Sequence, residues 1–381
     1  MNMADIFKSK TDKETPSRSL AYSEIGEPDS DTDKEEKPAV SKKEEMKNNN
    51  KKEKVSTSQM ASPHDKNAHK KTEEAKTPSD LHFPTFFMVP PFKTNFNVDK
   101  PNNLWMQEMS PEELKVDYDK AFAQWLELEQ FVSANSLTYL IPNDTKLQDL
   151  IYVANMGLYV ESEDLIIMSN FTSEPRRGEE KVGQKFFEEQ GYKCVNPPPD
   201  LRWEGEADLK FVRDNIFSGG YGIRSDKKTF EWMEKKYNMK ITKCHMTSQR
   251  NYHYDCQFAP LTTEKALVCT KIFDKPDIKE LEKIVEIIDI PEDEALAMAC
   301  NIVRIGSVIM VCSGISAMKA SDESYLVENS KIERLNHVCS KEGLSLRVFN
   351  LSEFDKSGAA LSCNIMHGNF VDFAPPNGEI M

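Results

Sequence analysis

The stretch "RNYHYDCQFAPL", from Arg250 to Leu261, carries a histidine and an aspartate two residues apart in an otherwise apolar and aromatic run. Histidine exchanges protons near neutral pH, so His253 beside Asp255 is a candidate pair for general acid and base chemistry. If the stretch is a strand, alternation places both side chains on one face of a sheet. A structural histidine would look the same, so the interpretation depends on what else the chain brings to this pair.

Three further stretches carry residue types that can act with the pair. "RWEGEADLKF" offers three carboxylates, "GGYGIRSD" offers an arginine, and "SGAALSCNIMHGNF" offers a cysteine that follows small residues. A thiolate is a nucleophile, carboxylates bind cations, and arginine binds carboxylates, while small residues let the backbone approach a ligand. Each residue taken singly also has an ordinary structural role. They are Glu204, Glu206, Asp208, Arg224, Cys363 and, four residues later, His367.

The chain that must position these residues alternates short strands with single helices. "PEELKVDYDKAFAQWLELEQFVSAN" has apolar residues at helical spacing, and Pro111 suits a first turn. Strand-like stretches then alternate with helical ones; the strand-like stretches include "DLIIMSNF", "ADLKFV", "NIFSGGYGI", "MKITKCHM", "YHYDCQFAPL" and "KALVCTKIF". The pattern indicates an α/β fold of repeated units. Neither the glycine fingerprint of a dinucleotide fold nor a phosphate-binding loop is present in the sequence.

The first 80 residues differ from the rest in composition. They hold 16 Lys+Arg and 17 Asp+Glu, and Phe7 and Tyr22 are their only aromatic residues. Such a segment cannot bury enough apolar surface to offset the entropy lost on ordering. The sequence therefore predicts a disordered, charged N-terminal tail over 1–80 and one folded domain over 81–381.

The charge and cysteine patterns exclude several classes of protein. Beyond the tail, 33 basic and 46 acidic residues give a net charge of −13, which argues against a nucleic-acid surface. No run approaches the ~18 apolar residues of a membrane helix, and "MNMADIFKSK" lacks the apolar centre of a secretory signal. The eight cysteines are irregularly spaced, so we expect reduced thiols in a cytoplasmic protein. The spacing of Cys244, His245, His253 and Cys256 does not fit a structural zinc site.

The order of motifs along the chain resembles the guanidino-group-modifying superfamily of arginine deiminases, dimethylarginine dimethylaminohydrolases and amidinotransferases. The similar blocks span roughly 83–370 and run in the family's order; they are "FFMVPPFKTNFNV", "YVANMGLY", "SNFTSEPRRGEE", "WEGEADLKF", "GYGIRSD", "YHYDCQFAPL" and "LSEFDKSGAALSC". The resemblance implies a pentein fold, a fan of five ββαβ units around a pseudo-fivefold axis. It also implies an active site at the centre of that fan, within 81–381.

The resemblance assigns three catalytic residues. Cys363 would attack the central carbon of a guanidino group as a thiolate. His253 would protonate the leaving amine and then activate the water that releases a thiouronium intermediate. Asp208 would bind the N–H groups of the planar cation. The chemistry calls for no cofactor and no metal.

Five further residues are implied to bind the substrate. Asp255 would share the guanidino group with Asp208, and Glu204 would support them. Arg224 and Arg176 match positions that hold the substrate's α-carboxylate, with Arg177 as the alternative register for Arg176. Asn155, in "VANMG", resembles the asparagine of the arginine-dihydrolase-like branch, although a turn residue would look the same.

Four functions stay open on the sequence alone. The first is hydrolysis of L-arginine to citrulline and ammonia, or onward to ornithine. The others are hydrolysis of dimethylarginine, transfer of the amidino group to an amine, and a non-catalytic scaffold with the same fold. Alanines at 359 and 360 replace the more usual glycines ahead of Cys363, and His367 is either a second titrating group or an exposed residue. The expected partner is a small guanidino amino acid, with homo-oligomerisation left open.

Overall fold

The computed structural model describes residues 83–93, 96–142 and 146–373. The predicted tail, 1–80, lies outside these ranges. The strands, in chain order, are β1 Thr85–Met88, β2 Leu137–Leu140, β3 Gly157–Val160, β4 Leu165–Met168, β5 Lys193–Val195, β6 Leu209–Arg213, β7 Ile216–Tyr221, β8 Lys240–His245, β9 Phe258–Pro260, β10 Lys265–Val268, β11 Glu286–Asp289, β12 Val303–Ile305, β13 Val308–Cys312, β14 Ser345–Phe349 and β15 Met366–His367. The helices are α1 Leu104–Glu108, α2 Tyr118–Asn135, α3 Glu179–Glu189, α4 Lys227–Tyr237, α5 Lys275–Leu281, α6 Glu292–Leu296, α7 Glu323–Lys341 and α8 Ser352–Asp355.

Across the described ranges, the strands form five sheets of three strands each, in the orders β15-β1-β2, β3-β4-β5, β6-β7-β8, β9-β10-β11 and β12-β13-β14. In every sheet the middle strand is antiparallel to the first strand and parallel to the third. A parallel pair needs a crossover, and a helix lies between the middle and third strands each time: α2, α3, α4, α5 and α7. Each sheet is therefore one ββαβ unit, which confirms the pentein fold.

The ring of five units is closed by the two ends of the folded domain. Strand β15 pairs with β1, with Phe86 opposite His367 and Phe87 opposite Met366. The first strands of the five sheets, hereafter the inner strands, meet around a small cavity of about 20 Å³. Each inner strand lines that cavity, through Leu158, Leu209, Ala259, Val303 and His367. The pseudo-fivefold axis therefore runs between the inner strands.

Two local predictions from the sequence are wrong. Helix α2 does not start at Pro111 but at Tyr118, because the Asp117 side chain caps it by accepting a hydrogen bond from the Lys120 amide at 3.1 Å. The stretch around His253 is not a strand throughout: Tyr254–Cys256 is a single 3-10 turn, and the strand begins at Phe258. Strand alternation therefore does not relate His253 to Asp255.

Apolar side chains fill the space between helices and sheets. Ala121, Trp125, Leu128 and Val132 form the buried face of α2, at the helical spacing seen in the sequence. They join a cluster that includes Phe86 and Phe87 of β1. None of the helices in the described ranges has the length and hydropathy needed to cross a membrane.

Candidate active site

Apart from the two arginines, the candidate residues lie in or directly beside short turns that precede the inner strands. Val153–Asn155, Gly205–Ala207, Tyr254–Cys256 and Ser362–Asn364 are 3-10 turns ahead of β3, β6, β9 and β15. Inner strands of equivalent direction bring these turns to the same end of the pseudo-fivefold axis. The side chains in them are nearly all buried, with Cys363 only 6% exposed. The fold thus places sequence-distant turns around one point.

Glu204 is the electrostatic centre of this group. Its Oε2 atom lies 2.8 Å from His253 Nε2 and accepts a hydrogen bond from Arg224 Nη1 at 3.2 Å. Its Oε1 atom accepts hydrogen bonds from the backbone amides of Thr172 and Ser173, at 3.1 and 3.2 Å. Burial would raise the pKa of Glu204, but the charges of Arg224 and His253 outweigh it and hold that pKa below its usual value. Glu204 is therefore ionised and orients its neighbours.

The neighbours of His253 determine its tautomer. Glu204 Oε2 can only accept, so the 2.8 Å contact places a proton on His253 Nε2. The Asn155 amide nitrogen lies 3.4 Å from the same Nε2 atom, but it donates its hydrogen to the Glu204 carbonyl oxygen at 3.1 Å. The neutral ring consequently keeps Nδ1 as the nitrogen that can accept a proton.

Asp208 is buried and held on both carboxylate oxygens. Oδ1 accepts a hydrogen bond from the Tyr254 amide at 3.2 Å, and Oδ2 accepts one from the Ser225 hydroxyl at 2.6 Å. Burial raises the pKa of Asp208 to about 6, although the nearby His253 opposes the increase. An incoming cation would therefore strongly favour its ionised form.

Asp255 connects the unit that contains β9 to the turn that carries Cys363. Its Oδ2 atom accepts a hydrogen bond from the Ser362 hydroxyl at 2.5 Å. Ser362 directly precedes Cys363, so the carboxylate of Asp255 lies close to the thiol. Burial raises the pKa of Cys363 to about 12, and the charge of Asp255 adds to the increase. At neutral pH the side chain of Cys363 is a thiol in this arrangement.

The two arginines are held differently. Arg224 donates from Nη2 to the Asn102 carbonyl oxygen at 2.7 Å, and its guanidinium lies 4.7 Å from the centre of the Tyr252 ring. Arg176 is 4% exposed and binds Glu179 through Nε and Nη2, with an Nη2–Oε2 distance of 2.7 Å. The charge of Arg176 is therefore already balanced within the protein. A carboxylate-binding role would fall to its remaining Nη1 group.

The alternative register, Arg177, has a different environment. Its side chain is exposed and donates to the backbone oxygens of Phe171 and Thr172, each at 3.2 Å. Arg176 is therefore the buried member of the pair.

Glu206 and His367 form a second acid and base pair that sequence reasoning did not connect. The Glu206 carboxylate accepts hydrogen bonds from the His367 amide at 2.9 Å and from His367 Nδ1 at 2.7 Å. His367 is 6% exposed, which excludes one of the two alternatives considered from the sequence, an exposed residue. The pair connects the turn that carries Glu204 and Asp208 to β15, just after Cys363.

Sequence reasoning also missed Asn301, which is fully buried ahead of β12. Its amide nitrogen lies 3.9 Å from Cys363 Sγ, and its amide oxygen accepts a hydrogen bond from the Ser362 amide at 2.7 Å. A signal was present in the sequence. "NIVRI" places an asparagine just before an inner strand, as "NMGLYV" does with Asn155.

A family model for N,N-dimethylarginine dimethylhydrolase of the eukaryotic type matches residues 90–352. The chain belongs to this family. The matched residues include the candidate side chains from Asn155 to Asn301, whereas Cys363 lies beyond the matched segment. Membership in the dimethylhydrolase family agrees with the guanidino-modifying superfamily inferred from the motif order.

Curated relatives and solved structures agree with this assignment. The bifunctional arginine dihydrolase/ornithine cyclodeaminase AgrE of Nostoc sp. strain PCC 7120 is 28% identical over 282 residues, 73% of this chain and 37% of AgrE. The N-terminal domain of the cyanobacterial arginine dihydrolase ArgZ, solved covalently bound to a reaction intermediate, is 25% identical with a TM-score of 0.65. This alignment covers 74% of the present chain and 97% of that domain.

A dimethylarginine dimethylaminohydrolase structure superposes with a TM-score of 0.58 at 18% identity, over 75% of this chain and 99% of that one, and supports the fold alone. The present chain spans little more than a third of the length of the curated arginine dihydrolases, 37% of AgrE and 36% of ArgZ. The part shared with these relatives is therefore the pentein domain.

Proposed function

We propose that this protein is a cysteine-dependent hydrolase of the guanidino group of an amino acid, with L-arginine as the first substrate to test. The observation that carries the proposal is the convergence of Cys363, His253 and the carboxylates of Glu204, Asp208 and Asp255. These side chains come from three separate turns, and hydrogen bonds connect the three turns to one another. The catalytic unit proposed is residues 81–381.

Binding would begin with the cationic guanidino group between Asp208 and Asp255. A planar guanidinium matches two carboxylates because its N–H groups can bind them in parallel. The pKa of Asp208, raised to about 6, would fall as the cation enters. Arg224, and the Nη1 group of Arg176, would neutralise the α-carboxylate at the other end of the substrate. For Arg224, this requires release of its hydrogen bond to Asn102.

The same cation would activate the nucleophile. In the empty site, burial and Asp255 keep Cys363 protonated, with a pKa of about 12. A guanidinium beside the sulfur reverses the local charge balance and favours the thiolate. The thiol would therefore become reactive only when a substrate is in place, which protects it from other electrophiles.

The reaction would then proceed in two halves. As the thiolate forms, His253 accepts the proton of the Cys363 thiol at Nδ1. The thiolate forms a C–S bond to the guanidino carbon, and the C–N bond to the leaving amine breaks as His253 passes that proton to the amine. His253 next removes a proton from water, whose oxygen attacks the thiouronium carbon. The C–S bond breaks and the sulfur leaves with the electron pair. Arginine and water yield citrulline and ammonia in this sequence.

Glu204 fits a supporting role in both halves. Its ionised carboxylate holds the Nε2 proton of His253, which keeps Nδ1 available for the proton that is transferred. It would also stabilise the imidazolium that forms when His253 accepts a proton. Glu204 is a positioning residue in this scheme, because His253 and Arg224 already occupy its Oε2 atom.

Hydrolysis of dimethylarginine is the second candidate, because the matching family model carries that name. The two reactions share the nucleophile and the base and differ in the leaving group. Asn155 favours arginine, because its amide lies beside His253, where the leaving group would depart. A buried amide packed against methyl groups would lose hydrogen bonds, at a cost of about 1–3 kcal/mol.

One experiment separates these candidates. The purified protein is incubated with arginine, with monomethylarginine, with asymmetric dimethylarginine, and with arginine plus glycine, and the products are identified by mass. Citrulline or ornithine formed fastest from arginine supports the proposal. Faster hydrolysis of dimethylarginine, an amidinated glycine, or no product from any substrate would each replace it with one of the other functions considered from the sequence.

A further inference from the structure

Four of the five units that form the ring place a predicted site residue in the turn ahead of the inner strand. Asn155, Asp208, Asp255 and Cys363 fill that place before β3, β6, β9 and β15. The remaining unit contains β12, and the equivalent place there holds Asn301. The architecture thus points to Asn301 as the contribution of this remaining unit to the site.

Asn301 contacts the nucleophile's turn through both ends of its amide. The nitrogen faces Cys363 Sγ at 3.9 Å, and the oxygen accepts a hydrogen bond from the Ser362 backbone amide at 2.7 Å. The second contact determines which end of the amide faces the sulfur, because only oxygen can accept from a backbone amide. The residue is fully buried, so no solvent competes for either contact.

We propose that Asn301 is a catalytic residue that donates a hydrogen bond to the Cys363 thiolate and fixes the turn from which that thiolate attacks. The inference deepens the proposed function and depends on Cys363 being the nucleophile. A neutral thiol accepts hydrogen bonds weakly, which suits the long 3.9 Å contact, and the contact should shorten when the sulfur becomes negative. An amide does not titrate, so the donor is present at every pH at which the enzyme works.

Two features of the surroundings of Cys363 oppose a negative charge on its sulfur, so a neutral donor there would favour the thiolate. The nearest carboxylate, Asp255, is hydrogen-bonded to the adjacent Ser362 and disfavours a second negative charge on the sulfur. Burial acts in the same direction, whereas a backbone hydrogen bond from Ala360, the more distant charge of Arg176 and the side chain of Asn301 act in the opposite direction. Among these groups, Asn301 is the side chain in hydrogen-bonding contact with the sulfur.

Two substitutions separate donation to sulfur from support of the turn. Asn301→Leu has nearly the same size and removes both contacts without adding charge. Asn301→Asp keeps an oxygen that can accept from the Ser362 amide, removes the donor and adds a carboxylate beside the sulfur, so its effect is compared with that of the uncharged Leu variant. The matched control is Asn364→Leu, because Asn364 is a buried asparagine of the same turn that donates to the Ala360 oxygen at 2.7 Å.

Two measurements are made on each full-length variant. The first is steady-state turnover. The second is the rate at which iodoacetamide alkylates Cys363, followed by peptide mass without any substrate. Since a hydrogen bond to a charged group contributes about 1.5–3 kcal/mol, we expect both Asn301 variants to lose roughly 10- to 100-fold in kcat with little change in KM. Alkylation of Cys363 should slow in both variants and stay close to wild type in Asn364→Leu.

The outcomes distinguish this inference from the proposed function. Equal alkylation rates and equal kcat in wild type and Asn301→Asp would overturn the role of Asn301, even if the protein hydrolyses arginine normally. Slow alkylation in both Asn301 variants supports that role, even if the wild-type substrate proves to be something other than a guanidino amino acid. Melting temperatures show whether each variant folds. If Asn301→Leu does not fold, the alkylation rate and kcat of Asn301→Asp decide whether Asn301 has this role.

Discussion

His253 Nε2 lies 2.8 Å from Glu204 Oε2, and the same oxygen accepts a hydrogen bond from Arg224. One buried carboxylate therefore fixes the proposed base and balances the proposed carboxylate-binding arginine. The relationship makes Glu204 a structural requirement as well as a functional one. It also gives Glu204 and Asp208 opposite effects on stability, although they lie four residues apart.

Glu204→Gln should destabilise the protein at neutral pH. The substitution leaves Arg224 buried without its ion-pair partner, and breaking such a pair costs about 3–5 kcal/mol. The pKa of Glu204 is lowered in the folded state, so its ionisation stabilises the fold above the unfolded value of 4.5, and this contribution is lost as the pH falls. Urea midpoints should be far apart for wild type and variant at pH 7.5, and they should begin to converge only as the pH falls below the unfolded value of 4.5.

A constant difference between the two midpoints across that pH range would show that the Glu204 charge is not the stabilising element. The variant should also lose kcat, since the amide cannot stabilise an imidazolium as a carboxylate does. Arg224→Ala serves as the control, because it removes the other partner of the same oxygen and leaves His253 held.

Asp208→Asn should stabilise the empty protein while it abolishes turnover. Burial raises the pKa of Asp208 to about 6, so the charged form opposes folding above that pH, by about 3 kcal/mol at most. The sign is opposite to that of Glu204, because the folded state binds this proton more tightly than the unfolded chain does. The variant should melt a few degrees higher than wild type at pH 8, and the difference should vanish below about pH 4.

Stability and activity respond in opposite directions because binding a cationic substrate needs the negative charge of Asp208, whereas burial of Asp208 disfavours that charge. The Ser225 hydroxyl can reverse its hydrogen bond to suit an amide, so the substitution leaves no unpaired group on that side. If Asp208→Asn melts lower than wild type at pH 8, Asp208 contributes to stability in its charged form. The site would then not be held ready for a cation.

Cys363 should react far faster with a cationic alkylating reagent than with a neutral one of the same shape. In the empty site the pKa of Cys363 is about 12, so 2-chloroacetamide should react slowly at pH 7.5. 2-Chloroacetamidine carries the charge of a guanidinium and should induce the thiolate as it binds between the carboxylates. Inactivation rates and the modified peptide, identified by mass, provide the measurement.

The same experiment has two internal controls. Cys363→Ser should fold normally, resist both reagents at this position and show no turnover, since a hydroxyl is a much weaker nucleophile at neutral pH. Asp208→Asn should remove most of the advantage of the cationic reagent. Equal rates for both reagents in the wild-type protein would mean that the site does not activate its thiol through substrate charge.

The sequence predicted individual strands, helices and candidate site residues more fully than it predicted which of them pair or contact one another. Helix α4 and strands β6 and β7 followed from periodicity, because those elements bury one face of a local pattern. Strand β15 is two residues long and exists because β1 offers an edge some 280 positions earlier. No local pattern encodes such a partner.

The absence of a local signal for long-range contacts also explains which site residues were missed. His253, Asp208 and Cys363 belong to motifs whose residue types suggest chemistry. Asn301 is a neutral amide in an apolar stretch, and its importance appears only when the ring brings it to 3.9 Å from the Cys363 sulfur. Glu206 and His367 were noticed separately, but their pairing depends on the contact between the first turn of one unit and the closing strand of another.

Asn155→Ala should change which product leaves the site. The amide of Asn155 lies 3.4 Å from His253 Nε2, on the proposed base that exchanges protons with the leaving amine and the attacking water through Nδ1. A neutral amide can hold either the guanidino nitrogen or the ureido group that follows the first hydrolysis. We expect arginine turnover to fall by roughly tenfold, the size expected for one lost hydrogen bond in a buried site. Any ornithine formed should fall more than citrulline, because a second hydrolysis needs the ureido group to stay bound.

The measurement is the ratio of ornithine to citrulline over time for wild type and variant, followed by mass with arginine as the substrate. Asn170→Ala is a suitable control, since Asn170 donates to the Leu201 oxygen at 2.8 Å and has no contact with His253. Dimethylarginine should be a poor substrate for the wild type and for both variants. An Asn155→Ala protein that hydrolyses dimethylarginine faster than arginine, with its product ratio unchanged, would place the selectivity elsewhere. The dimethylarginine reaction would then be the better description of this site.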